Sequence, residues 1–183
     1  MDPATASAIA VRPSTDEDVP AMLAIYRHHV THGVGDLGAY EPSRFDEEDL
    51  KRRRKTMRKH RLPHLVAEID GAIAGYVYAV PFRKRPAYRY TVKHSIYVHP
   101  NFQHMGVGKA MLSELIEACA EAGYRQLVGY IDSSNARSLH LHQALGFVQV
   151  GTLSAVAYRF GRWADTVMVQ RPLGPGCRLL PDE

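Results

Sequence analysis

Residues 94–122 carry the clearest pattern of apolar and polar positions in the chain. They begin with an apolar run rich in β-branched residues at positions 96–98, which predicts a strand. A proline–asparagine pair follows and predicts a turn, because proline cannot donate to a strand ladder. From Val107 to Cys119 apolar side chains recur at steps of four, with a mostly polar set on the opposite side. The segment therefore predicts a strand, a glycine-containing turn and an amphipathic helix.

The patterns on either side of this segment predict further strands and helices. Thr15 and Asp18 are spaced like a capping box, so a first helix is expected to follow them. Its apolar face is predicted to consist of Val19, Met22, Leu23, Tyr26 and Val30. Strands are predicted at residues 8–11, 64–69, 72–80, 91–98, 126–131, 147–160 and 163–170, a loop at 31–40, and further helices at 45–60 and 136–145. This order predicts an α+β fold with a mixed, mostly antiparallel central sheet flanked by helices.

Length and composition indicate one globular unit. With 183 residues the chain can bury a core, and we expect a single domain over residues 1–183, with its core at about 9–171 and an irregular tail at 172–183. The first residues lack the pattern of a signal peptide, and no apolar run approaches the length of a membrane span, so a soluble, cytoplasmic protein is expected. The 2 cysteines predict no disulfide framework, and the net charge of +4 suits anionic ligands without requiring nucleic acid.

The strongest charge run, at residues 46–55, allows two interpretations. Its bases could form a patch for nucleic acid or for a membrane surface. Alternatively, acids in the first turn followed by bases match the dipole of a solvated helix. Opposite charges are also spaced four residues apart, at Glu47 and Lys51, Glu48 and Arg52, and Asp49 and Arg53. This spacing favours the solvated helix face.

The glycines between the predicted strand and helix suggest a phosphate site, because unpaired N–H groups at a helix start attract anions. The loop is not a Walker loop, since Gln103 stands where that loop needs glycine and Ala110 where it needs a hydroxyl. A Rossmann fingerprint fails at Met111, where a third glycine or alanine belongs. The spacing that fits is Gln-x-x-Gly-x-Gly at residues 103–108, which alone could also be an ordinary turn before a helix.

This hexapeptide resembles the pyrophosphate loop of the GNAT superfamily of acetyltransferases, which hold coenzyme A there through main-chain N–H groups. Residues 135–136 and 141–147 match the asparagine, small residue, helix and Gly-Phe that follow in that superfamily. Residues 81–100 and 160–165 look like the phosphinothricin and methionine sulfoximine acetyltransferases, which are bacterial members. The resemblance covers roughly residues 11–171.

The resemblance implies an enzyme with the GNAT-like acyl-CoA N-acyltransferase fold. It would transfer acetyl from acetyl-CoA, as co-substrate, to the α-amine of an amino acid or an analogue such as phosphinothricin or methionine sulfoximine. The expected partner is a small-molecule amine, with no metal, no nucleic acid and no membrane. Relatives suggest a homodimer, although no residue in the sequence demands one.

The resemblance also implies a set of cofactor-binding residues. The backbone of Ile96, Tyr97 and Val98 would hold the thioester carbonyl and the pantetheine arm. Asn135 would hydrogen-bond the pantetheine region. The pyrophosphate would be held by the loop and the first helical turn, at Gln103, His104, Met105, Gly106, Val107, Gly108 and Lys109.

Acyl transfer to an amine needs a proton acceptor, donors for the developing oxyanion and an acid for the leaving thiolate. His142 stands where many GNAT enzymes carry the tyrosine that protonates the thiolate, and imidazole could serve there, although a partly buried structural histidine is the alternative. Phe82 and Arg83 stand where relatives contact substrate. A guanidinium can bind a carboxylate or phosphinate with two hydrogen bonds, but a solvated arginine is the alternative.

The predicted central strand departs from its relatives at Lys93. They commonly read Thr-Val-Glu, with the glutamate as the proposed base, and this chain reads Thr-Val-Lys. A charged lysine cannot accept a proton unless its pKa is lowered by several units. His94 is adjacent, but strand alternation places it on the other face. Three outcomes stay open: a base that is water or His94, a neutral Lys93, or a domain that binds acetyl-CoA with little turnover. We favour activity through water, because proximity and carbonyl polarisation supply much of the catalysis.

Overall fold

Seven strands form one sheet in the computed structural model, which describes residues 8–32 and 46–181. The strands are β1 (Ala10–Pro13), β2 (His64–Ile69), β3 (Ala72–Pro81), β4 (Thr91–Val98), β5 (Gln126–Asp132), β6 (Val148–Arg159) and β7 (Arg162–Pro172). Their order across the sheet is β1-β2-β3-β4-β5-β7-β6. Among the neighbouring pairs of these seven strands, β4 and β5 are parallel and the others are antiparallel. The predicted mixed, mostly antiparallel sheet is confirmed.

Helices cover both faces of this sheet. They are α1 (Val19–His32), α2 (Glu47–Lys59), α3 (Val107–Glu121) and α4 (Ala136–Ala144). On one face α1 and α2 pack against Val66, Tyr76 and Tyr97. On the other face α3, with apolar side chains of α4 beside it, covers residues such as Val77 and Val92. No helix within the two described ranges is both long enough and apolar enough to span a membrane.

Strand alternation decides which face each residue of β4 serves. Val92, Ile96 and Val98 belong to the core under α3, whereas Tyr97 belongs to the core under α1. Because side chains alternate along a strand, His94 shares the face of α3 and α4. Lys93 accordingly lies on the face of α1 and α2.

The predicted first helix is confirmed, with small differences at its start. All of the apolar residues predicted for its inner face are buried. A short 3-10 helix, Asp16–Asp18, precedes α1, and the Thr15 N–H donates to Asp18 Oδ2 at 2.7 Å, as the capping-box spacing predicted. Strand β1 is Ala10–Pro13, two residues later than predicted, because it pairs with β2 from Ala10 opposite Glu68 to Pro13 opposite Leu65.

Several other predicted boundaries differ from the structure by a few residues. Thr31 and His32 close α1 instead of opening the predicted loop, and the remainder of that loop lies outside the described residues, as does Phe45 at the predicted start of α2. The final hairpin turns at residues 160–161, one position earlier than predicted. Strand β7 continues to Pro172, and the tail beyond it has no regular secondary structure up to residue 181.

Acids and bases of α2 form ion pairs with each other, as predicted, but the predicted separation of four residues is wrong. The ion pairs between its first and second turns join residues three apart, Glu48 with Lys51 at 3.1 Å and Asp49 with Arg52. Residues three apart are also neighbours on a helix, so both spacings satisfy the same geometry. Arg54 contradicts the solvated face, because it is buried and donates to the Ser14 carbonyl at 2.9 Å. One side of α2 therefore packs against the protein through a member of the charge run.

Candidate active site

A cavity opens where β4 and β5 separate. These parallel strands pair over three positions, the last of which places Lys93 opposite Val128. Beyond that position residues 94–98 of β4 and 129–131 of β5 line a cavity of about 830 Å³. Strands that separate inside a sheet leave main-chain N–H and C=O groups that an extended ligand can bind. The cavity therefore suits a long ligand with amide groups.

The loop between β4 and α3 brings a helix start to this cavity. Gly106 is the N-cap of α3 and has φ +85°, a left-handed conformation that favours glycine. Because glycine has no side chain to bind the first N–H groups of the helix, those groups can bind an anion. The predicted loop residues that line the cavity are Gln103, His104, Gly106, Val107, Gly108 and Lys109. Met105 is exposed and is not part of the lining.

Gly108 allows α3 to pack closely against α4. A Cβ at this position would lie 3.3 Å from Leu141 Cδ2 in α4 and 3.7 Å from Val98 Cγ2 in β4. A side chain here would push against α4, which forms another wall of the cavity. The two glycines of the motif thus have different physical roles, one in backbone conformation and one in close approach.

Basic and amide groups surround the helix start. Lys109 of α3 and Arg137 of α4 both line the cavity, and Arg137 donates to Gln103 Oε1 at 2.8 Å. Asn135 is the N-cap of α4, and its Oδ1 accepts from the Ser138 N–H at 3.0 Å. Within the described part of the chain, the cavity lining contains no carboxylate. The charge of this site favours an anionic ligand.

Two buried histidines lie in contact at the point where the strands separate. Nε2 of His94 is 2.8 Å from Nε2 of His142, and the rings are stacked with centroids 5.0 Å apart. Their Nδ1 atoms contact main-chain carbonyls, that of Val128 at 3.1 Å from His94 and that of Ser138 at 2.7 Å from His142. Burial lowers the pKa of His94 to about 3, with the charge of His142 as a second cause, and burial lowers the pKa of His142 as well.

Lys93 lies outside this contact. Its Nζ is 6.0 Å from the ring centroid of Tyr130, whose residue lines the cavity from β5. Lys93 itself is half-buried and is not among the lining residues. The ammonium therefore lies next to a wall of the cavity on the α1 and α2 face of the sheet.

The structure does not bring Phe82 and Arg83 to the cavity. The Phe82 N–H donates to the Thr91 carbonyl at 3.1 Å, which places this pair at the other end of β4 from the site. The exposed Arg83 guanidinium lies 5.3 Å from the Phe82 ring centroid and 5.7 Å from that of Tyr88. These contacts hold the arginine over aromatic rings of its own loop.

Helix α1 contributes three histidines to the lining that were not predicted from the sequence, His28, His29 and His32. His29 Nε2 donates to the Val98 carbonyl at 2.8 Å, so one carbonyl of β4 already has a partner. The high histidine count and their spacing along one helix were the available signals. Across the described residues, no group of three or more His, Cys, Asp or Glu side chains is arranged to bind a metal ion.

A sheet opened between two parallel strands, with a glycine loop and a helix start at the opening, is the arrangement expected from the resemblance to the GNAT superfamily. The family model described as "Acetyltransferase (GNAT) family" matches residues 31–147. The chain belongs to this family. The fold expected from the resemblance is confirmed.

Individual relatives within this family have names that specify the compound they acetylate. The chain is 44% identical over 176 residues to a phosphinothricin N-acetyltransferase of Alcaligenes faecalis, covering 96% of this chain and 88% of the relative. It is 33% identical over 165 residues to an L-methionine sulfoximine/L-methionine sulfone acetyltransferase of Salmonella typhimurium, covering 90% and 95%. Among solved structures, a phosphinothricin acetyltransferase of Sinorhizobium meliloti in complex with AcCoA superposes with a TM-score of 0.90 at 38% identity, covering 96% of this chain and 94% of that one.

Proposed function

We propose that this chain transfers acetyl from acetyl-CoA to the α-amine of an amino acid or amino-acid analogue, with phosphinothricin and methionine sulfoximine as the first candidates. The observation that carries the proposal is the opening between β4 and β5, whose walls include both the start of α3 and the His94–His142 pair. The named activities of the relatives support the class of acceptor. The proposed enzyme is one domain, with its core at about residues 9–171.

Acetyl-CoA fits the chemistry of this cavity. The phosphates would be held by the loop at residues 103–109, because the helix start and Lys109 are positive there. In this proposal Met105 contributes its main chain alone. The pantetheine arm would follow the main chain of Ile96, Tyr97 and Val98, with the Asn135 amide beside it. When bound, acetyl-CoA supplies the thioester carbonyl that the amine attacks.

The residues around the reacting groups would move protons and orient the amine. His142 lines the cavity and would protonate the leaving thiolate. Lys93 beside Tyr130 would repel an incoming ammonium, which favours an acceptor that has already lost its proton to water. Phe82 and Arg83 would contact an acidic group of the acceptor if that group extends towards the β3–β4 loop.

Two other functions receive less support. A domain that binds acetyl-CoA with little turnover, suggested by Lys93, is not favoured, because the relatives are named as acetyltransferases. A nucleic-acid module on α2 conflicts with the packing of that helix. Arg54 points inward to Ser14 and Asp16, and Lys51 and Arg52 are paired with acids of the same helix.

We also propose a cytoplasmic homodimer. The support for a second copy is an apolar surface on the β6–β7 hairpin, which we call the hairpin surface. Its side chains are 42–65% exposed, and they are Val148, Val150, Leu153, Val156, Tyr158, Phe160 and Trp163. This number of exposed apolar side chains on one hairpin is typical of a protein interface. The free thiols of Cys119 and Cys177 are compatible with a reducing compartment.

A thiol-release assay with a panel of acceptors tests the activity. Acetyl-CoA would be mixed with the protein and with phosphinothricin, methionine sulfoximine, L-amino acids and their D-enantiomers. We expect coenzyme A release with at least one L-configured acceptor, together with a product acetylated at its α-amine. Acetyl-CoA binding by calorimetry without release above the acceptor-free rate would instead support the binding-domain alternative.

A further inference from the structure

The hydrogen-bond partners of His94 and His142 determine which of their ring nitrogens carry a hydrogen. Carbonyl oxygens accept hydrogen bonds and cannot donate, so each Nδ1 that contacts a carbonyl must carry a hydrogen. His94 Nδ1 contacts the Val128 carbonyl and His142 Nδ1 contacts the Ser138 carbonyl. Two neutral rings in this arrangement would each present a lone pair at Nε2.

Two lone pairs that face each other 2.8 Å apart repel, whereas one proton between them creates a charge-assisted hydrogen bond. A second proton would place two N–H groups against each other, which again repels. The main-chain carbonyls thus make the pair a site for a single proton. Gly129 leaves the necessary space, because a Cβ there would lie 2.9 Å from His94 Cε1 and 3.6 Å from His142 Nε2.

The surroundings oppose a permanent charge on the pair. The neighbouring Phe147 ring lies 5.6 Å from the His94 ring and 5.0 Å from that of His142, and burial lowers the pKa of both imidazoles. The titratable and charged groups nearby come from each packed element: Lys93 and Tyr97 on β4, Tyr130 on β5, His104 in the loop before α3, Lys109 on α3, Arg137 on α4, and His28, His29 and His32 on α1. None of them is an anion that would hold the proton in place. A proton bound between the rings can therefore be released again.

We propose that His94 and His142 act as one unit that accepts the proton of the attacking amine and delivers it to the departing thiolate. This rests on the proposed acetyl transfer. As the C–N bond forms and the C–S bond breaks, the nitrogen gives one proton to the pair, and the pair gives that proton to sulfur. An acceptor that arrives as an ammonium loses its additional proton to solvent beforehand. The pair thus supplies the base that Lys93 cannot.

Nitrogen NMR of the unmodified protein, labelled with ¹⁵N in its histidines, tests the proton site without any activity. We expect both Nδ1 atoms of the pair to be protonated, and the two Nε2 signals to change together in a single one-proton step as the pH falls. An unprotonated Nδ1 in either ring, or two independent steps, would overturn the proposal.

Substitution of His94 tests whether this residue shares a proton with His142 or only packs against it. In His94→Leu the titration of His142 should move to lower pH, because the second nitrogen that shares the proton is lost. If His94 acts merely as a neighbouring charge or as packing, the titration moves to higher pH or stays, and the proposal fails. His94→Gln keeps an acceptor near the position of Nε2 and gives the same test with a polar side chain if the leucine variant does not fold.

Kinetics then separate this inference from the proposed function. We expect His94→Leu to lower kcat by about 10²-fold, the scale of acid–base catalysis, with little change in KM for acetyl-CoA, and His94→Gln to recover part of the loss. The control is His64→Gln, since His64 is also buried but contacts Ser14 Oγ at 2.9 Å away from the cavity. Equal kcat and pH profiles in His94→Leu and the unmodified enzyme would overturn the pair's role. An unmodified protein without transfer activity would overturn the proposed function, and the proton site would still be decided by NMR.

Discussion

Lys93 and His94 are neighbours in β4, yet their side chains serve opposite faces of the sheet. Lys93 Nζ lies 6.0 Å from the Tyr130 ring centroid, whereas His94 Nε2 contacts His142 Nε2 at 2.8 Å. One residue step therefore separates a cation beside the cavity wall from a buried imidazole pair. This separation allows the charge at position 93 to be changed without altering the histidine contact.

The first prediction concerns that charge. Lys93→Glu should raise kcat/KM for amino-acid-like amines on the order of tenfold, because a repulsive charge becomes attractive for an incoming ammonium. Lys93→Met, which removes the charge alone, should give a smaller gain. Steady-state kinetics below the pKa of the amine measure both. If Lys93→Met instead abolishes activity, Lys93 works as a neutral base.

The second prediction concerns the glycine loop. Gly106→Ala should reduce the free energy of unfolding by about 1 kcal/mol, because alanine is strained at φ +85°, and should also weaken acetyl-CoA binding. Gly71→Ala is the matched control, since Gly71 has φ +79° in the β2–β3 turn, away from the cavity. It should lose similar stability and keep its affinity. Calorimetry that finds equal acetyl-CoA affinity in both variants would contradict the loop assignment.

The third prediction concerns Arg83. If this residue contacts an acidic group of the acceptor, Arg83→Ala should raise KM for a carboxylate-bearing amine more than for its amide. Arg85→Ala controls for charge, because Arg85 is an exposed arginine of the same loop. Equal effects on both acceptors would make Arg83 a surface charge held by Phe82 and Tyr88.

The fourth prediction concerns the hairpin surface. Trp163 is 65% exposed, and Trp163→Glu should convert a dimer into a monomer by placing a charge in an apolar interface. Leu180→Glu is the control, because Leu180 is 89% exposed but lies in the tail. Sedimentation or light scattering reports the mass. A monomeric unmodified protein, or a Trp163→Glu protein that stays dimeric, would contradict the proposed role of this surface.

The fifth prediction concerns stability at acidic pH. Burial lowers the pKa of His64 from 6.5 to about 4, with the charge of Arg54 as a second cause. The unfolded state then binds a proton more readily than the folded state, so stability from this group is complete above about pH 6.5 and is lost as the pH falls to about 4. The loss is on the order of 3 kcal/mol.

Denaturant unfolding at several pH values measures this loss. His64→Phe keeps an aromatic ring against Tyr76 and Tyr78, to which His64 now stacks, but cannot titrate. Its unfolding free energy should fall less steeply between pH 6.5 and pH 4 than that of the unmodified protein. An identical slope in the two proteins would show that His64 does not carry this pH dependence.

Local patterns in the sequence were sufficient for most of the fold. The strands predicted at residues 64–69 and 91–98 match β2 and β4 at both ends, because each strand lies inside the sheet and is covered on both faces. The glycine motif located the helix start on the cavity, because the left-handed conformation at Gly106 is a local requirement.

Contacts between distant residues decided the remainder. Arg54 belongs to the charge run at residues 46–55, which was predicted to be a solvated helix face. Only the packing of α2 against Ser14 makes this arginine a buried donor. His94 and His142 are 48 positions apart, so no local pattern could predict that their Nε2 atoms meet. The sequence by itself determined the elements, the motif and the family, since these depend on short-range periodicity and spacing. Only the tertiary structure decided which side chains share the cavity, because that depends on where β4 and β5 separate and which helices close over the gap.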